Sequence, residues 1–437
     1  MLEALHLWTR RPVYRLIFAF WLKIFGVAFG LGVVAGIVMA FQFGSNWSVL
    51  ARMSGPIQGP LLAYETFTAF ALEASFFGIL LFGRSRVSPG FYLFSTAMVA
   101  LGTTLSAFWI LINNSWMQHP VGYVVRNGQF VPDDWAKIIF SPVVWVRFPH
   151  MLLASYLTGA MCVAATGAWY LLRREFTAEA RIMLRMGLGL ASVLIPVQLV
   201  FGHLCGEYVD HYQPSKMAAI EARWHNEKPA SEVLLAWPDV AKRRNLFAIT
   251  LPPPFGSLID SDSLSAAEVG LDSIPPRNWP PVLIPFFTFR IMVGCGIIML
   301  LVSWVGSYLN HKHRLEGNRP LLWATFLSFP LPYIAILTGW FTAEVGRQPW
   351  VVYGVLRTAD AMTPFLTARS ALISLVVFCA VYTFIFVFGV FYIYRLLRAG
   401  PVGRLVLPPA DAVPNRPMSV VHGPAHVLAS REVSAGE

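Results

Sequence analysis

Residues 371–394 read ALISLVVFCAVYTFIFVFGVFYIY, a run of 24 positions without a charged residue. A helix rises about 1.5 Å per residue and the hydrocarbon core of a bilayer is about 30 Å thick, so roughly 20 apolar residues cross it. The run therefore predicts a membrane-spanning helix, and the pattern recurs along the chain. We predict eight spans, at about 14–43, 58–83, 89–113, 143–172, 182–203, 283–309, 320–341 and 367–394.

The composition supports an all-α, polytopic transmembrane helical bundle. Of the 437 residues, 56% are hydrophobic and only 13% are charged, and the mean hydropathy is +0.58. Soluble domains carry about 25% charged residues, so an ordinary soluble enzyme and a disordered chain are both excluded. The four cysteines form no CxxC or CxxCH motif, which excludes c-type haem attachment and thiolate clusters.

Positive charge gives the orientation of the spans. Arginine and lysine cluster in alternate loops, at 10–15, 84–86, 173–185, 312–319 and 395–404. The positive-inside rule places these loops and both termini in the cytoplasm. The segments 44–57, 114–142, 204–282 and 342–366 then lie outside. The positive residues behind the net charge of +10 lie mainly in these loops and indicate the orientation of the spans. We therefore predict no nucleic-acid partner.

These boundaries divide the chain into four parts. Residues 1–203 carry the first five spans, 204–282 form a polar outer loop and 283–403 carry the last three spans. Residues 404–437 are rich in Pro, Ser and Ala and are predicted to form a disordered cytoplasmic tail.

Two carboxyl groups interrupt the second span. Glu65 and Glu73 are eight residues apart, which on a regular helix places them within about 80° of one face and roughly 12 Å apart along the axis. Ionisable groups within a membrane are costly and mark functional sites by default. The pair is either a proton relay or a pair of hydrogen-bonded structural carboxyls.

A histidine and a methionine lie at similar depths from the outer side. His150 falls in the fourth span and Met292 in the sixth, and Arg147 and Arg290 closely precede them. Each alone is more typical of helix packing. Together, imidazole and thioether form a recognised axial pair for a low-spin haem iron, and arginines can neutralise haem propionates.

Two further pairs near the outer surface have competing interpretations. Glu344 and Arg347 are either an ion pair at a helix end or a carboxylate iron ligand with its neighbour. Lys216 and Glu221 lie five apart in a short helical pattern, which alone is typical of a solvated amphipathic turn.

Several blocks together resemble a known family. They are FQFGSNW (41–47), ETFTAFALEASF (65–76), ALGTTLSAFWILINNSWMQHP (100–120), KMAAIEARWH (216–225), FRIMVGCG (289–296) and GWFTAEVGRQPW (339–350). In this order they resemble subunit I of cytochrome bd quinol oxidases over nearly the whole membrane part, from about residue 15 to 400.

The resemblance implies a terminal oxidase of the bacterial cytoplasmic (inner) membrane. Members oxidise quinol at the outer, periplasmic face and reduce dioxygen to water, generating a proton gradient without pumping. The residues at matching positions would take the following roles. His150 and Met292 would ligate a low-spin haem b, with Arg290 nearby. Glu344 would ligate a high-spin haem b, with Trp340 and Arg347 in the same motif. The quinol-binding loop 204–282 would contain Lys216, Glu221 and Gln213, and the proton route would include Glu65 and Glu73.

The resemblance also implies partners and a third haem. Subunit II is the expected membrane partner, and the family allows for a small single-span subunit. The quinol loop is short, as in the cyanide-insensitive branch, so the third haem is either haem d or a further haem b.

One feature departs from the family. Members have nine spans, and the first carries a histidine that ligates the dioxygen-reducing haem. Residues 1–14, MLEALHLWTRRPVY, resemble only the end of that helix, and His6 lies at its cytoplasmic end. Either the start codon lies further upstream, which we favour, or this ligand is absent.

Two alternative functions stay open. One is a truncated haem b protein that accepts electrons from quinol without reducing dioxygen. The other is a haem-free transporter, which accounts for the buried carboxyls but not for His150, Met292 and Glu344 at matching depths.

Overall fold

The computed structural model describes residues 1–228, 231–252 and 268–401. Within them, eight helical segments are long and apolar enough to cross a membrane, which confirms the predicted bundle. These segments are Pro12–Ser45, Ser48–Phe82, Pro89–Gln118, Trp135–Arg173, Thr177–Tyr212, Leu283–His311, Arg319–Val345 and Ala368–Ala399. The predicted disorder of the tail at 404–437 lies outside the described residues and stays a prediction.

Thirteen α-helices and three short hairpins make up the described part of the chain. The helices are α1 (Leu2–Thr9), α2 (Pro12–Ser45), α3 (Ser48–Tyr64), α4 (Ala71–Phe82), α5 (Pro89–Gln118), α6 (Trp135–Ile139), α7 (Pro142–Arg173), α8 (Thr177–Tyr212), α9 (Pro214–Glu221), α10 (Leu283–His311), α11 (Arg319–Leu327), α12 (Leu331–Val345) and α13 (Ala368–Ala399). The antiparallel hairpins pair β1 (Tyr123–Arg126) with β2 (Gln129–Pro132), β3 (Glu232–Asp239) with β4 (Arg244–Leu251), and β5 (Trp350–Val352) with β6 (Leu356–Arg357).

Several helices continue beyond the apolar runs that predicted them. The third span was expected to end at 113, but α5 continues to Gln118. The fifth was expected at 182–203, but α8 covers Thr177–Tyr212. Both predicted spans lie within these helices, whose polar end residues were not part of the apolar runs.

Two predicted spans are not regular helices. The second contains a turn of π-helix, Glu65–Phe70, between α3 and α4. The seventh breaks between α11 and α12, where Pro330 lacks the N–H group needed to continue a helix. The predicted spans at about 58–83 and 320–341 are therefore present, each with one irregularity.

Contacts join segments that the charge pattern predicts to share a side. Among the segments predicted to be cytoplasmic, Arg84 pairs with Glu3 at 2.7 Å, and Arg185 pairs with Glu316 at 2.6 Å. Among those predicted to lie outside, the Gln129 amide donates to the Arg52 carbonyl of α3 at 2.9 Å. The candidate site lies at the helix ends that are predicted to face outward.

Helices α7 and α8 pack closely through small residues. A Cβ atom added at Gly187 of α8 would lie 2.5 Å from the Ala160 carbonyl oxygen and 2.7 Å from the Ala164 amide nitrogen, both on α7. Small residues at helix contacts allow membrane helices to approach in this way.

We expect Gly187→Ala to destabilise the protein by roughly 1–3 kcal/mol, because the added methyl would overlap backbone atoms that cannot rotate aside. The midpoint of thermal unfolding in detergent measures this. Gly189→Ala is the matched control, since nothing lies within 4 Å of a Cβ added there. Equal midpoints for the two variants would contradict close packing at Gly187.

Candidate functional site

Glu344 lies in the last turn of α12, near the C-terminal end of α5 and the N-terminal end of α7. Its Oε1 accepts hydrogen bonds from the Asn114 amide at 2.9 Å and from the Gln118 amide at 3.2 Å. Its Oε2 accepts a hydrogen bond from Arg347, three residues later. The predicted pairing of Glu344 with Arg347 is present, within a larger network.

Buried cations outnumber carboxylates around Glu344. Arg147 of α7 donates to the Asn114 side-chain oxygen at 2.6 Å, so Asn114 bridges Arg147 and Glu344. Arg347 is 6% exposed, and its Nε and Nη1 atoms are buried without a hydrogen-bond partner among the described residues. Lys216 is the third cation. With Lys216 protonated, three cations and one carboxylate leave a formal charge of +2, which suits an anionic group.

The short helix α9 brings Lys216 to this cluster. Pro214 occupies the first helical turn, where its missing N–H group costs nothing. Lys216 donates to the Ala343 carbonyl at 2.8 Å and to the Gln118 side-chain oxygen at 3.2 Å. Burial, together with the neighbouring Arg147, lowers the pKa of Lys216 to about 7.

Gln213 also forms hydrogen bonds with Gln118. Its amide donates to the Gln118 carbonyl at 2.6 Å and to the Gln118 side-chain oxygen at 3.1 Å. The structure thus brings Gln213, Lys216, Glu344 and Arg347 together around Gln118.

The sequence reasoning missed Asn114 and Gln118. Both belong to the stretch NNSWMQHP at 113–120, directly after the third apolar run. A dense group of amide and hydroxyl side chains at a membrane edge was the available signal, but a stretch assigned to a loop is expected to be solvated.

Glu221 lies apart from this network. It pairs with Arg223 at 2.8 Å and lines a cavity of about 70 Å³ together with Trp224 and His225. Small-molecule pockets usually measure about 300–1,000 Å³. Gln213, Lys216 and Glu221 are each at most 4% exposed, so direct contact with quinol at these residues stays a prediction.

His150 and Met292 face different helices. The Nε2 atom of His150 lies 3.4 Å from the Gln198 amide nitrogen of α8, and its Nδ1 atom is buried without a partner among the described residues. Met292 of α10 faces α12, where a Cβ added at Gly339 would lie 2.7 Å from the Met292 sulfur.

Arg290 contacts backbone instead of a free surface. Its guanidinium donates to the carbonyls of Ile220 at 2.7 Å and Leu234 at 2.8 Å, and lies 3.6 Å from the centre of the Phe286 ring. It thereby ties α10 to α9 and β3. Its expected place beside a haem stays a prediction.

The two carboxyls of the second span have different surroundings. The Ser106 hydroxyl donates to Glu65 at 2.7 Å. Glu73 is buried, and a Cβ added at Gly102 would lie 2.7 Å from its Cγ atom. The π-turn between them changes the angular relation expected from a regular helix, and such turns are frequent at functional sites.

Trp340 is the most exposed of the predicted site residues. Its side chain is 56% exposed and stacks on Phe341 with ring centres 6.2 Å apart. In the described part of the chain, no group of three His, Cys, Asp or Glu side chains is placed to hold a bare metal ion.

Comparisons with known proteins agree over most of the chain. Residues 1–401 match the family model described as cytochrome bd terminal oxidase subunit I. The chain is 33% identical to cytochrome bd ubiquinol oxidase subunit 1 of Bacillus subtilis, covering 92% of this chain and 87% of the relative. It is 32% identical to cytochrome bd-II ubiquinol oxidase subunit 1 of Escherichia coli, covering 92% and 91%.

A solved structure shows the same fold. The bd oxidase from Geobacillus thermodenitrificans superposes with a TM-score of 0.83 at 28% identity, covering 91% of each chain. With the family match over residues 1–401, this places the protein among oxidoreductases of the membrane. The chain belongs to the family of cytochrome bd terminal oxidase subunit I.

Proposed function

We propose that this chain is the subunit of a bacterial cytoplasmic-membrane oxidase that oxidises quinol at the outer face and reduces dioxygen to water. Subunit II is its membrane partner, and a small single-span subunit is a further candidate partner. Relatives named as ubiquinol oxidase subunits support the substrate class. The structural similarity to a bd oxidase of solved structure supports assembly into an oxidase complex.

One observation carries the proposal. The segment predicted to serve quinol oxidation and the residue predicted to ligate iron meet through one side chain, since Gln118 contacts both Lys216 and Glu344. A site that takes electrons from quinol and passes them to iron needs these two parts within a short distance. A transporter gives no reason for this arrangement.

The residues on α7 and α10 suit a low-spin haem b. The unpartnered Nδ1 atom of His150 shows a buried imidazole whose ring hydrogen bonding is incomplete within the chain. The thioether of Met292 lies against a position where only glycine leaves it room. His150 and Met292 would hold the iron, and the haem would supply one-electron chemistry.

The cluster around Glu344 suits a high-spin haem b. The carboxylate would ligate the iron, and the unpartnered Nε and Nη1 atoms of Arg347 provide donors for a propionate. The formal excess of positive charge from Arg147 and Lys216 points the same way. The third haem is haem d or a further haem b.

The proton balance follows from the side of the membrane on which each half of the reaction takes place. Quinol oxidised outside releases its protons there, whereas the protons for water formation would be drawn from the cytoplasm. Glu65, held by Ser106, and the buried Glu73 would hold protons on the inward route. The reaction would then generate a proton gradient without a pump.

The direct experiment is to purify the chain with subunit II, quantify its haems and measure quinol-dependent oxygen uptake. Three haems with uptake are expected. A normal low-spin haem spectrum without uptake would favour an electron-accepting haem protein. A preparation of the folded complex without haem would overturn the proposal and favour a transporter.

Gly339→Ala offers a specific prediction for Met292. The added methyl would displace the flexible Met292 sulfur from its position 2.7 Å away, at little cost to folding. We expect an altered low-spin haem spectrum with a thermal midpoint close to that of the wild type. Gly294→Ala, with nothing within 4 Å of the added Cβ, is the control and should leave the spectrum unchanged. An unaltered spectrum in Gly339→Ala would count against ligation by Met292.

A further inference from the structure

Gln118 is the last residue of α5 and is 3% exposed. Its side-chain oxygen accepts from Lys216 at 3.2 Å and from Gln213 at 3.1 Å. Its amide nitrogen donates to the Ala343 carbonyl at 3.3 Å and to Glu344 at 3.2 Å. Every polar atom of the side chain therefore has a partner.

Charge determines the orientation of this amide. An ammonium group only donates hydrogen bonds, and an ionised carboxylate only accepts them. The oxygen of Gln118 must therefore face Lys216, and its nitrogen must face Glu344. Reversing the amide would place its NH2 group against the Lys216 ammonium group and its oxygen against the Glu344 carboxylate.

Gln118 also separates two opposite charges. Among the described residues, no direct ion pair joins Lys216 to Glu344; the contact runs through the neutral amide. A direct pair would draw the carboxylate toward the ammonium group, away from an iron. The amide instead holds the carboxylate by hydrogen bonds from Gln118 and Asn114.

We propose that Gln118 is a positioning residue that couples the quinol-oxidising segment at 213–221 to Glu344. Its oxygen sets the position of Lys216 and Gln213, and its nitrogen sets the position of the Glu344 carboxylate. This inference rests on the proposed function, and it assigns the two halves of one side chain to two different parts of the site.

Two substitutions of similar size distinguish the role of the Gln118 side-chain oxygen from that of its nitrogen. Gln118→Glu keeps an acceptor for Lys216 and Gln213 but replaces the donor to Glu344 with a second carboxylate. Gln118→Met removes both. Gln129→Met is the control, because the Gln129 amide donates to the Arg52 carbonyl of α3, outside the site. Each is purified with subunit II, and quinol KM, kcat and the high-spin haem spectrum are measured.

We expect Gln118→Glu to keep quinol KM within about 2-fold of the wild type, to lower kcat by about 10–100-fold and to alter the high-spin haem spectrum. Gln118→Met should change KM as well as kcat and the spectrum. Gln129→Met should match the wild type.

Three results would overturn the coupling. One is an unchanged high-spin spectrum in both Gln118 variants. Another is an identical change of KM and kcat in both, which indicates a purely structural role. The third is failure of both variants to assemble while Gln129→Met assembles. A wild-type complex without quinol-dependent uptake would instead count against the proposed function, whereas an active wild type with normal Gln118 variants would count against this inference alone.

Discussion

Glu344→Gln should lower quinol-dependent oxygen uptake at least about 100-fold and remove or alter the high-spin haem. The substitution keeps the shape of the side chain, so Asn114 and Gln118 retain an acceptor. It removes a carboxylate from the cluster and leaves the buried Arg347 without its ion-pair partner. An uncompensated buried cation is strongly unfavourable. The measurements are oxygen uptake and haem content of the purified complex.

Glu207→Gln is the matched control, since this carboxylate lies on the outer part of α8 and its side chain is 38% exposed. Normal activity is expected there, because an exposed charge contributes little. If Glu344→Gln kept more than half of the wild-type uptake with normal high-spin haem, the assignment of Glu344 as an iron ligand would be rejected.

His150→Ala should abolish the low-spin haem spectrum and reduce quinol-dependent uptake at least about 100-fold. The imidazole is buried in α7 with an unpartnered nitrogen, so its removal takes away a ligand without breaking a well-formed hydrogen bond in the chain. The spectrum of the dithionite-reduced complex measures the haem, and uptake measures the activity.

His203→Ala serves as the comparison, because His203 lies on the next helix with a side chain that is 38% exposed. It should keep a normal spectrum. A His150→Ala complex that assembles with its low-spin haem intact would remove His150 from the site and weaken the oxidase proposal as a whole.

The sequence already determined the bundle, its eight spans and the family. Apolar runs such as 371–394 suffice for this, because a bilayer excludes unpaired backbone groups and admits a long apolar segment only as a helix. The short helix around Lys216 was also predictable from its pattern and is present as α9. These are local properties, and neighbouring residues encode them.

Only the tertiary structure decided which side chains meet. Gln118 and Glu344 are 226 residues apart, and Gln118 and Lys216 are 98 apart. No local periodicity predicts contacts between residues so far apart in the sequence. Gln118 was therefore assigned to a loop. Arg290 is a further example, since its guanidinium binds the carbonyls of Ile220 in α9 and Leu234 in β3, while its place beside a haem stays a prediction.

The helix irregularities also differ in whether the sequence predicts them. The break before α12 is marked in the sequence by Pro330, whereas no proline marks the π-turn at Glu65–Phe70. Spans follow from hydrophobicity, which each residue carries by itself. The site follows from hydrogen bonds and charge balance between distant segments, and those exist only once the helices have packed.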